Sequence, residues 1–189
     1  MEQRLFDIME MNPVIAAVKD KAALERCCEL EEIRIAFTLF GDICSIGEIV
    51  HQLKDAGKIV FVHADLVSGL ASKDLAADFI HRNTQADGLI STKPSIIRKA
   101  NELQLATILR VFLLDSMAIA GLPHQISMAK PDIVEVLPGL MPQMIQKIKN
   151  TTRLPMIAGG LISEKEDVMD ALDAGAICVS STSQKVWMM

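Results

Sequence analysis

The residues with the clearest chemical potential lie near the end of the chain. Leu154-Pro-Met-Ile-Ala-Gly-Gly-Leu-Ile-Ser163 reads as a buried strand that ends in a glycine pair. Gly175-Ala-Ile-Cys-Val-Ser-Ser-Thr182 reads as a second buried strand ending in three hydroxyl side chains, with a short helix pattern between the two. Each strand opens into a loop of small residues with free backbone N–H groups. Such groups at a helix N-terminus hold phosphate. Glycine lets an anion approach the main chain closely, and Ser and Thr hydroxyls add donors. Gly159, Gly160, Ser180, Ser181 and Thr182 are therefore the candidate phosphate site, and Ser163 begins a second set of donors.

Polar residues also close several earlier apolar runs. They are Lys19, His63, Asp65, Lys93, Arg110 and Glu135. Strand alternation groups His63 and Asp65 with Phe61, Ser91 and Lys93 with Leu89, Arg110 with Ile108 and Phe112, and Glu135 with Ile133 and Leu137. A charge aimed at a covering helix layer is buried against apolar side chains at heavy cost, so Arg110 and Glu135 are expected to face the opposite way. They either form a structural ion pair or touch a ligand. Lys93 reads as a phosphate contact, a Schiff-base lysine or a solvated loop residue. No Ser/His/Asp or Cys/His arrangement stands out, and no second carboxylate pairs with Asp65. No catalytic residue, metal site or cofactor is assigned.

Eight apolar runs must position these groups: Val14–Val18, Ile33–Leu39, Ile59–His63, Gly88–Ser91, Ala106–Phe112, Ile133–Leu137, Met156–Ala158 and Ile177–Ser180. Stretches of helical period lie between them. Leu75, Ala76, Phe79 and Ile80 make one stripe within Ser72–Arg82, and Val168, Met169 and Leu172 make another. Ser45-Ile-Gly-Glu48 and Ser163-Glu-Lys-Glu166 read as capping boxes. Asp115 precedes a helical run, Pro94 suits a first turn, and Gly57 and Gly175 are stop signals. Strand and helix alternating eight times predict an α/β fold, a compact (β/α)8 barrel forming a single domain over residues 1–189. No glycine fingerprint follows the first strand, which argues against an open dinucleotide-binding sheet. In a barrel, the loops after the seventh and eighth strands are the usual phosphate site.

Composition agrees. The 189 residues are 50% hydrophobic and only 4% aromatic, so the core must be aliphatic. A net charge of −5 tolerates a small phosphorylated ligand and disfavours a nucleic-acid backbone except at a local basic face. Cys27, Cys28, Cys44 and Cys178 show no zinc-type spacing, and no run approaches the ~20 apolar residues of a membrane span. The expected location is the cytoplasm, with no membrane partner.

The ordered set of segments resembles the glycerol-uptake operon antiterminator regulatory proteins of bacteria. It comprises Pro13–Lys19, Phe61–Asp65 with Gly69-Leu70, Asp87–Lys93, Arg110–Ser116, Glu135–Gly139, Ala158–Ile162, and Gly175–Thr182 with Trp187. The resemblance implies a barrel that responds to glycerol 3-phosphate, binds leader mRNA and relieves transcription termination. It places the phosphate at Gly159, Gly160, Ser181 and Thr182, and the rest of the pocket at Lys19, Asp65, Lys93, Arg110 and Glu135. A homodimer is a possible assembly. Candidate RNA contacts are Lys147, Lys149 and Arg153, or His81-Arg82; a solvated helix face is the commoner reading of either. The alternative function is a barrel isomerase, aldolase or synthase acting on a small phosphorylated sugar.

Overall fold

The computed structural model describes residues 2–71 and 73–189. Eight parallel strands close into a barrel in sequence order: β1 (Val14–Val18), β2 (Ile35–Thr38), β3 (Ile59–His63), β4 (Gly88–Ser91), β5 (Ala106–Phe112), β6 (Ile133–Leu137), β7 (Met156–Gly159) and β8 (Cys178–Ser181). β8 returns to pair with β1, Ile15 standing beside Ser180. This is the expected (β/α)8 barrel. The covering helices are α2 (Lys21–Glu29), α3 (Ile46–Asp55), α4 (Leu75–Asn83), α5 (Pro94–Glu102), α6 (Ser116–Ala129), α7 (Pro142–Thr151) and α8 (Lys165–Asp173), followed by the short α9 (Gln184–Trp187). No helix among the described residues is long and apolar enough to cross a membrane.

Alternation along the strands separates two cores. Outward residues such as Val60, Val62, Leu89 and Val134 pack under the helices. Inward residues Ile15, Ile35, Phe37, Phe61, Ile90, Ile108, Ile133, Ile157 and Cys178 fill the barrel. An extra helix, α1 (Glu2–Met11), closes the N-terminal end, where Leu5 and Met9 join the interior cluster. The strand pattern does not announce α1.

The helix starts follow the expected positions but not always the expected residues. Asp20 and Asp115 cap α2 and α6, each accepting a backbone N–H at 2.8 Å. Pro94 opens α5. The Ser45–Glu48 capping box does not form. The Asp42 carboxylate instead accepts the N–H groups of Cys44 and Ser45, both at 2.9 Å, and the Ser45 hydroxyl. The second box shifts by one residue, with Asp167 accepting from the N–H groups of Ser163 and Glu164. A short, fixed carboxylate outcompetes Ser and Glu at both ends because charged acceptors bind orphan N–H groups more strongly. The α4 stripe also turns: Ala76, Ala77 and Ile80 are buried while Leu75 is exposed, and Ser72 lies outside the described residues. In α8, Val168 and Ala171 are buried and Met169 is exposed.

Gly88 shows how tightly the interior is filled. The Phe37 and Phe61 rings pack edge to face, 5.7 Å apart. A Cβ at position 88 would collide with the Phe61 ring and come within 2.5 Å of the Ala106 carbonyl oxygen. Gly88→Ala is expected to destabilise the barrel by about 2–3 kcal/mol through overpacking. Gly57→Ala meets no atom within 4 Å and only has to hold a φ of +75°, at a cost of about 1 kcal/mol. Denaturant unfolding of the two variants checks this order; equal losses would contradict it.

Candidate functional site

A cleft of about 420 Å³ opens at the C-terminal end of the barrel. Lys19 and Leu39 border it on one side and Arg110 and Leu137 on another, with residues 160–163 and 180–183 closing the rest. The loops after β7 and β8 thus meet at one opening. Of the residues expected at the phosphate site, Gly160, Ser180, Ser181 and Thr182 line this cleft and Gly159 does not. Of the expected pocket residues, Lys19 and Arg110 line it; His63, Asp65, Lys93 and Glu135 do not.

The β7 loop turns sharply. Gly160 holds a φ of +76° and Leu161 a φ of +65°. Left-handed backbone costs a residue such as Leu161 about 1 kcal/mol and persists only where the surroundings impose it. The Gly139 N–H donates to the Gly160 carbonyl at 3.1 Å and fixes the turn against the β6 loop. Among the described residues, the N–H groups of Gly160, Leu161, Ile162 and Thr182 take no hydrogen-bond acceptor. Such a run of unspent donors beside a cavity suits an anion.

The hydroxyls divide their work. Ser180 donates to Glu135 Oε1 at 2.6 Å. Ser181 donates to the Ile162 carbonyl at 2.6 Å and accepts the Ser183 N–H at 3.0 Å, tying the two loops together. The Trp187 indole N–H donates to the Ser181 carbonyl at 2.7 Å. Thr182 remains exposed at the cleft.

Behind the cleft lies a buried polar trio. Arg110 and Glu135 are register partners on β5 and β6, and Arg110 Nε donates to Glu135 Oε2 at 2.6 Å. Both carboxylate oxygens are therefore occupied. Glu135 is fully buried and Arg110 is 7% exposed. Gly159 makes this possible: a Cβ there would stand 2.5 Å from Ser180 Oγ and 2.6 Å from Glu135 Oε1.

The other expected residues serve the opposite side of the mouth. Asp65 sits on a 3-10 turn after β3. Its carboxylate accepts from the Ser91 hydroxyl at 2.9 Å, the Thr92 N–H at 2.7 Å and the Thr92 hydroxyl at 2.9 Å. Leu89 belongs to the helix-facing core, so its partner by alternation, Ser91, also faces outward, and Lys93 stands at the N-cap of α5. Among the described residues no cluster of His, Cys, Asp and Glu could hold a metal ion. Sequence reasoning missed Leu161. Nothing in a leucine announces left-handed backbone, and only the glycine before it marks the turn.

His63 is buried, and its Nδ1 lacks a hydrogen-bond partner. Burial, reinforced by the Arg110 charge, pushes its pKa down from 6.5 to about 4, against a smaller pull from Asp65. The unfolded chain therefore binds a proton between pH 6.5 and 4 that the folded chain refuses. Stability is fully present above pH 6.5 and declines as pH falls towards 4. His63→Gln is expected to flatten that decline by roughly 3 kcal/mol. Urea unfolding at several pH values measures it; a slope identical to the parent's would place the acid sensitivity elsewhere.

Known proteins match along nearly the whole chain. Residues 14–187 match the family described as glycerol-3-phosphate responsive antiterminator. The chain is 38% identical over 185 residues to the uncharacterized protein YgcP of Escherichia coli K12, covering 98% of this chain and 96% of that one. The crystal structure of a glycerol uptake operon antiterminator regulatory protein from Listeria monocytogenes superposes with a TM-score of 0.89 at 34% identity, covering 93% of this chain and 94% of that one. A glycerol uptake operon antiterminator-related protein from Thermotoga maritima gives 0.82 at 33% identity, covering 94% and 99%. The chain therefore belongs to the glycerol-3-phosphate responsive antiterminator family.

Proposed function

We propose that this chain senses glycerol 3-phosphate and, when loaded, binds the leader mRNA of glycerol-utilisation genes to relieve termination. The observation that carries the ligand reading is the meeting of the β7 and β8 loops at the cleft, where unspent N–H groups of residues 160–162 and Thr182 lie close to Lys19. The phosphate sits against these donors, with the Lys19 ammonium and the Thr182 hydroxyl adding to them. The three-carbon backbone extends towards Arg110.

A regulatory rather than catalytic role fits the carboxylates. Asp65 and Glu135 both spend their acceptors on structural hydrogen bonds. Exposed Lys147, Lys149 and Arg153 around α7, or His81 and Arg82 on α4, supply the local positive charge that an RNA backbone requires. Ligand acts by binding the RNA-competent state more tightly than the alternative.

Calorimetric titration tests the ligand directly. Glycerol 3-phosphate should bind saturably, inorganic phosphate weakly and glycerol not at all. Lys19→Met, a change at an exposed side chain, should weaken glycerol 3-phosphate about ten-fold and leave unfolding unchanged. Silence with glycerol 3-phosphate would overturn the sensor reading. Gel-shift assays with leader mRNA then compare free and loaded protein; shifts that ignore the ligand would overturn the coupling.

A further inference from the structure

The phosphate loops account for the rim of the cleft, and the chemistry read by its inner wall is a separate question. Arg110 forms that wall. Its Nε is held by Glu135, but its two η nitrogens make no hydrogen bond among the described residues. They are not sealed in the protein either, since among the described residues the one buried side-chain nitrogen or oxygen without a partner is His63 Nδ1. The guanidinium is thus anchored on one edge, while its other edge offers donors to the cleft.

The charge balance of this wall decides what those donors can read. Arg110 and Glu135 cancel, and burial keeps His63 uncharged. Among the described residues, the cation that borders the cleft without an ion pair is Lys19, at the rim with the phosphate donors. An alcohol oxygen can accept from Arg110 without bringing charge into the interior. A carboxylate at the same place would lose its water beside the Glu135 carboxylate, with no net positive charge to offset it.

We infer that Glu135 is a specificity-determining positioning residue: it holds and neutralises Arg110 so that the inner wall accepts the hydroxyl oxygens of a phosphorylated polyol and rejects a carboxylate there. This inference rests on the sensor reading of the cleft. Gly159 and Ser180 belong to the same device, one leaving room for the Glu135 carboxylate and the other filling its second oxygen.

The test titrates the full chain with glycerol 3-phosphate, with 3-phosphoglycerate as its carboxylate counterpart, with propyl phosphate lacking both hydroxyls, and with inorganic phosphate. The parent protein should prefer glycerol 3-phosphate over both other organic phosphates by about ten-fold or more. In Glu135→Gln the Arg110 charge is released, so 3-phosphoglycerate should gain on glycerol 3-phosphate by about ten-fold while inorganic phosphate is unchanged. A Glu135→Gln protein that weakens glycerol 3-phosphate and 3-phosphoglycerate by one factor would reduce Glu135 to a structural role and overturn the inference. If that variant does not fold, the parent's ligand series decides alone: equal affinity for the three organic phosphates overturns the inference and leaves the phosphate site standing. No binding of any phosphate ester by the parent would remove the sensor reading and this inference together.

Discussion

A guanidinium and a carboxylate buried side by side set the terms for half of this barrel. Desolvating two ions in an aliphatic interior is costly, and the cost is met only when geometry is good and the remaining lone pairs are filled. Register supplies the first condition by placing Arg110 on β5 next to Glu135 on β6. Ser180 supplies the second from β8, reaching across β7. It can cross only because β7 ends in a residue without a side chain. The glycine pair therefore has two separate duties. Gly159 leaves space for the polar core, and Gly160 turns the chain at positive φ to form the cleft.

The hydroxyl triplet that ends β8 divides in the same way, one residue per direction. Ser180 looks inward, Ser181 looks outward and fastens the neighbouring loops, and Thr182 looks to the cleft. The mouth becomes asymmetric as a result. On the β3–β4 side, Asp65 ties the loops together by accepting from Ser91 and Thr92. On the β7–β8 side, the fastening is done by side chains, and several main-chain donors are left over.

The sequence disclosed the repeating architecture because strand and helix periods differ and each core is aliphatic. The eight strands fall within two residues of the expected runs at each end, with β2 trimmed to Ile35–Thr38. The site was legible where chemistry depends on residue type, as for Arg110 facing inward away from the helix layer. It was not legible where position depends on phase beyond a strand's end. Simple alternation groups Asp65 with His63 and Lys93 with Ser91, but a 3-10 turn follows β3, and β4 directs Leu89 and Ser91 towards the helices. The α1 plug has no signal in the sequence because only a full barrel gives Leu5 and Met9 an apolar end to cover.

On the proposed function, an acidic chain has to attract a phosphate and an RNA against the repulsion of its own field. Main-chain N–H groups answer the first problem because they attract an anion without adding net charge to the fold. The second needs a basic face distant from the cleft yet mechanically joined to it. The path to one such face is short. The Gly160 carbonyl accepts the Gly139 N–H, and α7 begins at Pro142, carrying Lys147 and Lys149 on its exposed side with Arg153 just beyond its end. A ligand that orders the Gly160 turn therefore acts on the loop that launches this helix. On that proposal, coupling by this route needs only a local stiffening of the short loops that join Gly160 to Pro142.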